Sequence, residues 1–152
     1  VTRARLLSAV IVVAGAVAAL SYLRDPPWIG SLTSGLQPWQ VDSDHERVRW
    51  TTGRASFFVP SHATRMTLPF RAIEPRSDRP VTIDVSVDGR WLTTVDIPDR
   101  PKPQSLEWVM ATLPLPRQST GRRFRRVDLR VHRWLKELHA GVQMGEVILS
   151  ER

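Results

Sequence analysis

The segment Val81-Thr82-Ile83-Asp84-Val85-Ser86-Val87-Asp88-Gly89-Arg90 decides the class of fold. Apolar residues at 81, 83, 85 and 87 alternate with polar ones at 82, 84, 86 and 88. A period of two places one set of side chains in a core and the other in water, as in a half-buried strand. Asp88-Gly89 then supplies the two-residue turn of a tight hairpin, and the returning arm runs over residues 91–97.

The same period recurs on both sides. Met66, Leu68, Phe70 and Ala72 alternate with Arg65, Thr67, Pro69 and Arg71, and Val127, Leu129 and Val131 alternate with Asp128, Arg130 and His132. Residues 47–52, 54–59, 105–113 and 142–149 complete about eight short strands separated by Pro, Gly, Asp and Ser. That count in one small domain predicts an all-β fold, an antiparallel two-sheet sandwich of the jelly-roll kind. Phe57, Leu68, Phe70, Ile83, Val85, Leu129 and Val131 are its expected core. Pro60, Pro69, Pro98 and Pro114 are expected at strand ends, edges or bulges, where a missing N–H does no damage. A bulge at Gly145 would turn both Val142/Met144 and Val147/Leu149 inward. Residues 134–139 are expected to form one helical turn.

Ahead of this domain stands an uncharged, largely apolar run over residues 6–23, preceded by Arg3 and Arg5 and followed by Arg24, Asp25, Pro26 and Pro27. At ~1.5 Å per residue it reaches ~27 Å, close to the ~30 Å of a bilayer's hydrocarbon. The basic residues before it predict an N-terminus inside and a C-terminal domain outside the cytoplasmic membrane. A cleavable signal peptide is the competing reading, since Ala14-Gly15-Ala16 and Ala16-Val17-Ala18 both fit a small-residue cleavage site; it would make the protein a secreted one. The length of the run favours a retained anchor. Three units follow: a signal anchor or transmembrane helix at 1–23, a Pro/Gly/Ser-containing stalk at 24–43, and the sandwich at 44–152.

The chain of 152 residues has no cysteine, which excludes a disulfide framework, thiolate metal ligation and thiol chemistry. Its net charge of +7 comes mostly from arginine, because only Lys102 and Lys136 are lysines. The excess is concentrated at Arg117, Arg122, Arg123, Arg125, Arg126, Arg130, Arg133 and Lys136, with Asp128 alone as counter-charge in that stretch. A run of this kind is either a solvated face or a patch for phosphate, anionic lipid or acidic glycan. If Arg122, Arg123, Arg125 and Arg126 form a loop before the strand at Val127, their guanidinium groups project together, with Arg130, Arg133 and Trp134 extending the patch. These seven residues are the expected binding site, and replacing the four loop arginines by Ser should leave the fold intact. No nucleic-acid-binding motif accompanies them, and nucleic acid is not expected as a partner.

Catalytic patterns are not recognisable. His45, His62, His132 and His139 lack metal-ligand spacing, and neither a metal nor a cofactor is expected. Asp84, Asp128 and Glu146 are the acids that adjacent strands could bring together. Of the six tryptophans, Trp50, Trp91 and Trp108 lie within strands and are expected in the core, whereas Trp134 is expected at the surface.

Arg49-Trp50-Thr51-x-Gly53-Arg54-Ala55, Val85-x-Val87-Asp88-Gly89-Arg90, Val127-Asp128-Leu129-Arg130-Val131 and Gly141-Val142-Gln143-x-Gly145-Glu146-Val147 together resemble a known module. It is the jelly-roll-like, carbohydrate-binding-module-like extracytoplasmic domain attached to bacterial membrane glycosyltransferases and envelope proteins. The resemblance covers about residues 45–150 and implies a module that binds envelope glycan or glycolipid in cell-envelope polysaccharide biosynthesis. One helix stands here in place of the many spans of a transferase, so transfer activity is not expected. The expected partners are the bilayer, through residues 6–23, and a glycan, glycolipid or anionic headgroup. A structural or assembly role beside a multi-span membrane protein is the alternative.

Overall fold

The computed structural model describes residues 2–72, 81–97, 108–117, 121–132 and 141–151. Arg133, Trp134, the expected helical turn at 134–139 and Pro98 lie outside these residues. Helix α1, Thr2–Arg24, is followed by a short 3-10 helix, Pro27–Ser31. The strands are β1 (Thr33–Leu36), β2 (Gln40–Val41), β3 (Arg47–Pro60), β4 (Arg65–Arg71), β5 (Val81–Val87), β6 (Arg90–Ile97), β7 (Val109–Pro114), β8 (Phe124–Val131), β9 (Gln143–Met144) and β10 (Ile148–Ser150).

All described pairings are antiparallel. One sheet has the order β1–β3–β8–β5–β6. In the other, β4 lies between β7 on one side and β9 with β10 on the other, and β9 continues to the first half of β3. β3 therefore belongs to both sheets: Arg49 and Trp50 pair with β9, and residues from Arg54 onward pair with β8. The two strands expected on either side of Gly53 are one continuous strand that turns the corner of the sandwich.

The alternation read from the sequence holds across the core. Phe57, Leu68, Phe70, Ile83, Val85, Leu129 and Val131 are all buried. Asp88 and Gly89, at φ 51° and 77°, close the hairpin between Val87 and Arg90, the left-handed pair that a primed two-residue turn requires. The turn is fastened to β8, because the Asp88 N–H donates to the Arg126 carbonyl at 2.8 Å and the Arg126 N–H donates to the Asp88 carboxylate at 3.0 Å.

Pro69 lies inside β4, yet its missing N–H costs no ladder bond. Its carbonyl accepts the Gly145 N–H at 3.0 Å, so its nitrogen faces the break between β9 and β10. Val142 and Met144 are buried as expected and Val147 is partly buried, but Leu149 is exposed. Two short strands replace the single bulged one.

Residues 24–43 are not a free stalk. β1 pairs with β3, β2 pairs with the start of β3, and the 3-10 helix lies on β3. α1 is long and apolar enough to cross a membrane, and none of that apolar stretch is buried in the protein.

Candidate functional site

The outer face of the first sheet is polar across its width. Residues that alternate with the core turn outward in register, so that Arg54, Arg130, Asp84 and Thr94 form one cross-strand row over β3, β8, β5 and β6. The adjoining row is Ser34, Ser56, Asp128, Ser86 and Trp91, over all five strands. With strands ~4.8 Å apart, the first row spans roughly 14 Å. A depression of about 260 Å³ lies on these rows, lined by Ser34, Arg54, Ser56, Asp84, Ser86 and Arg126 with Asp128 and Arg130. A second, of about 480 Å³, adjoins it over Thr52, Gly53, Arg54, Arg130 and His132.

The charges of this face are unevenly matched. Arg126 pairs with Asp128 at 2.8 Å. Asp84 accepts the Thr94 hydroxyl at 2.7 Å and meets His132 Nε2 at 2.5 Å. The Thr94 hydroxyl, followed by His132, holds the Asp84 carboxyl below the usual carboxylate range. Among the described residues, Arg54 and Arg130 form no ion pair, although they stand directly opposite each other; Arg130 has Asp84 on its other side, where its charge helps to lower that carboxyl. Two guanidinium groups are thus presented to solvent between hydroxyls and occupied carboxylates, with an indole at the rim.

That indole is Trp91, which is 66% exposed and not in the core as expected. The register shift between Val85 and Ser86 sets Ser86 opposite Trp91, so the ring shares the outer face with Ser86. Trp50 and Trp108 are half-buried.

The expected arginine cluster is divided by strand parity. β8 begins at Phe124, three residues before the expected start at Val127, so Arg125 falls on the inward side with Val127 and Leu129. It is 3% exposed. Its guanidinium donates to the carbonyls of Ser61, at 2.9 Å, and Pro116. Arg125 is a structural residue and does not belong to a surface patch. Arg126 and Arg130 point outward on the polar face, whereas Arg122 and Arg123 are exposed ahead of the strand. Extending the period of two back by one pair of residues would have found this division.

A second cluster lies on the other sheet. Arg71, whose side chain is 4% exposed, pairs with Asp42, donates to Gln143 Oε1 at 2.6 Å and covers the Trp108 ring at 4.5 Å. Trp108 Nε1 donates to Glu46 at 2.6 Å, and Arg47 and Arg49 lie over the Trp39 ring. A depression of about 390 Å³ beside it is lined by Pro69, Trp108, Met110, Gly145 and Glu146. These polar groups are engaged with one another, which fixes the turn at Asp42–Glu46 to the sheet. Glu146 pairs with Arg47 here, apart from Asp84 and Asp128, so the three acids are not brought together.

Neither a protein-family model nor a curated protein matches the chain. Solved structures similar to it include carbohydrate-binding modules and other sugar-active proteins. One is the C-terminal family 6 carbohydrate-binding module of a laminarinase from Zobellia galactanivorans, with 10% identity and a TM-score of 0.45 over 76% of this chain and 88% of that one. Another is a family 35 carbohydrate-binding module from an environmental isolate, with 12% identity and a TM-score of 0.48 over 76% and 86%. A third is a family two carbohydrate esterase from Clostridium thermocellum, with 10% identity and a TM-score of 0.48; the match covers 78% of this chain and 31% of the esterase. Function has to be read from the side chains of the chain itself.

Proposed function

We propose that the protein is a membrane-anchored, extracytoplasmic glycan-binding module without catalytic activity of its own, an accessory to cell-envelope polysaccharide biosynthesis. The observation that carries this reading is the facing Arg54–Arg130 couple, with Asp84 beside Arg130 alone, set among Ser34, Ser56 and Ser86, with Trp91 on the same face two strands further on. Hydroxyl-rich ligands exchange hydrogen bonds with serines and carboxylates, an exposed indole covers the apolar face of a sugar ring, and two guanidinium forks receive a carboxylate or phosphate. The ligand class is therefore an acidic glycan or a phosphorylated glycolipid. Asp84 and Asp128 are each held by a neighbour on the same face, which suits ligand binding better than proton transfer.

Titration calorimetry of the full chain in detergent micelles, with a uronate-containing and a neutral oligosaccharide, tests this reading. Saturable binding of the acidic sugar, weakened several-fold by Arg54→Gln and by Trp91→Ala, is expected. No binding of either sugar would turn attention to the second reading, a structural subunit of a membrane complex. Exposed Met110 and Ile148 on the other sheet favour that alternative. Co-purification of a multi-span membrane protein, abolished by Met110→Ser with Ile148→Ser, would establish it.

A further inference from the structure

α1 does not lead into a free tether. The Asp25 N–H donates to the Ser21 carbonyl at 3.2 Å, and the Asp25 carboxylate accepts the backbone N–H of Arg123. Pro26, next in the chain, is buried. The 3-10 helix then presses Gly30 against Phe124, so closely that a Cβ at Gly30 would lie 2.5 Å from the ring. β1 joins the sheet directly afterwards. From Asp25 onward the chain is part of the sandwich, and the segment before β8 sits at the point where the helix leaves it.

Three exposed arginines lie on the two segments joined here: Arg24 at the end of the helix, next to Asp25, and Arg122 and Arg123 before β8. Among the described residues none of them forms an ion pair. Asp25, their nearest acid along these segments, is engaged by a backbone N–H. Tyr22 and Trp28, each more than half exposed, flank the junction. Amphipathic rings of this kind settle at the level of lipid headgroups.

We propose that Arg24, Arg122 and Arg123 form a collar that binds anionic phospholipid headgroups and holds the sandwich against the bilayer surface. The inference rests on α1 spanning the membrane and is independent of the glycan-binding face. These contacts join helix and sandwich without an intervening linker, so no linker has to be ordered to bring the arginines to the surface. A phosphodiester accepts the parallel N–H groups of a guanidinium, and one basic residue at an anionic surface changes lipid preference by about fivefold.

The test uses the full chain in nanodiscs and measures the association of spin-labelled phosphatidylglycerol relative to spin-labelled phosphatidylcholine. The wild type should prefer the anionic lipid, and Arg122→Gln and Arg123→Gln should each lower the preference by about fivefold. Glutamine at 123 keeps the contact to Asp25, which the backbone makes, so circular dichroism should not change. Arg54→Gln, which acts on the glycan-binding face, should leave the lipid ratio as it is. Equal association of the two lipids, or a preference untouched by both glutamine variants, would overturn the collar. Displacement of the lipid by inorganic phosphate at constant ionic strength would overturn the lipid assignment in favour of a small-anion site. Release of the chain from the discs would overturn the span and this inference together, leaving the oligosaccharide titration to judge the other face.

Discussion

Arg54 on β3 and Arg130 on β8 face each other in register across an antiparallel pair. Like charges directly opposite on adjacent strands destabilise a sheet by a few tenths of a kcal/mol up to about 1 kcal/mol. Arg126, two rows along β8, is relieved by Asp128 at 2.8 Å, whereas the Arg54–Arg130 couple forms no ion pair among the described residues and has only Asp84, already engaged by Thr94 and His132, on the far side of Arg130. A ligand anion would supply the counter-charge that Arg54 lacks.

Arg54→Thr should therefore stabilise the domain by about 0.5 kcal/mol while abolishing binding of the acidic glycan. Urea unfolding followed by tryptophan fluorescence measures the first effect and calorimetry the second. A lower unfolding midpoint in the variant would show that Arg54 serves the fold.

Arg125 and Arg126 are neighbours with opposite fates, and truncation should separate them. Arg125→Ala strands the carbonyls of Ser61 and Pro116 and empties a buried site, at about 2–4 kcal/mol. Arg126→Ala, on the exposed face, should change stability by less than about 0.5 kcal/mol. Serine at 122, 123, 125 and 126 together should thus destabilise the domain by about as much as Arg125→Ala alone. Equal unfolding midpoints for the two alanine variants would contradict the inward placement of Arg125.

Acid should weaken the fold through Asp42. The Glu46 N–H is the largest cause holding this carboxyl below its usual range, and the Arg71 guanidinium and the Asp44 N–H act in the same direction. A carboxylate with a lowered folded-state pKa contributes stability that is complete above its unfolded value of ~3.9 and is lost as pH falls through the folded value. Asp42→Asn should lose this contribution at neutral pH and show a flatter decline in urea midpoint from neutral pH to about pH 2. Parallel declines for the two proteins would remove Asp42 from the account.

Gly89 tests the hairpin. A Cβ at this position would meet nothing within 4 Å, so its positive φ alone determines the effect of a side chain. Gly89→Ala should destabilise by about 1–2 kcal/mol, and Gly89→Asn by less, because asparagine tolerates the left-handed region. Equal losses for the two would point to a steric cause.

The amino-acid sequence by itself determined the all-β class, the hairpin at Asp88-Gly89, the apolar helix and the division of each regular strand into a core side and a water side. These are local properties: a period of two, a turn dipeptide and an uninterrupted apolar run act on neighbouring residues. The rows Arg54–Arg130–Asp84–Thr94 and Ser34–Ser56–Asp128–Ser86–Trp91 were decided only by the tertiary structure, since register between strands distant in the chain depends on turns and packing far from either residue. The burial of Arg125 and the exposure of Trp91 belong to the same category, one set by where β8 begins and the other by a register shift opposite it. So does the joining of residues 25–36 to the sandwich. Nothing in the composition of that segment distinguishes a linker from a strand until β3 offers it an edge.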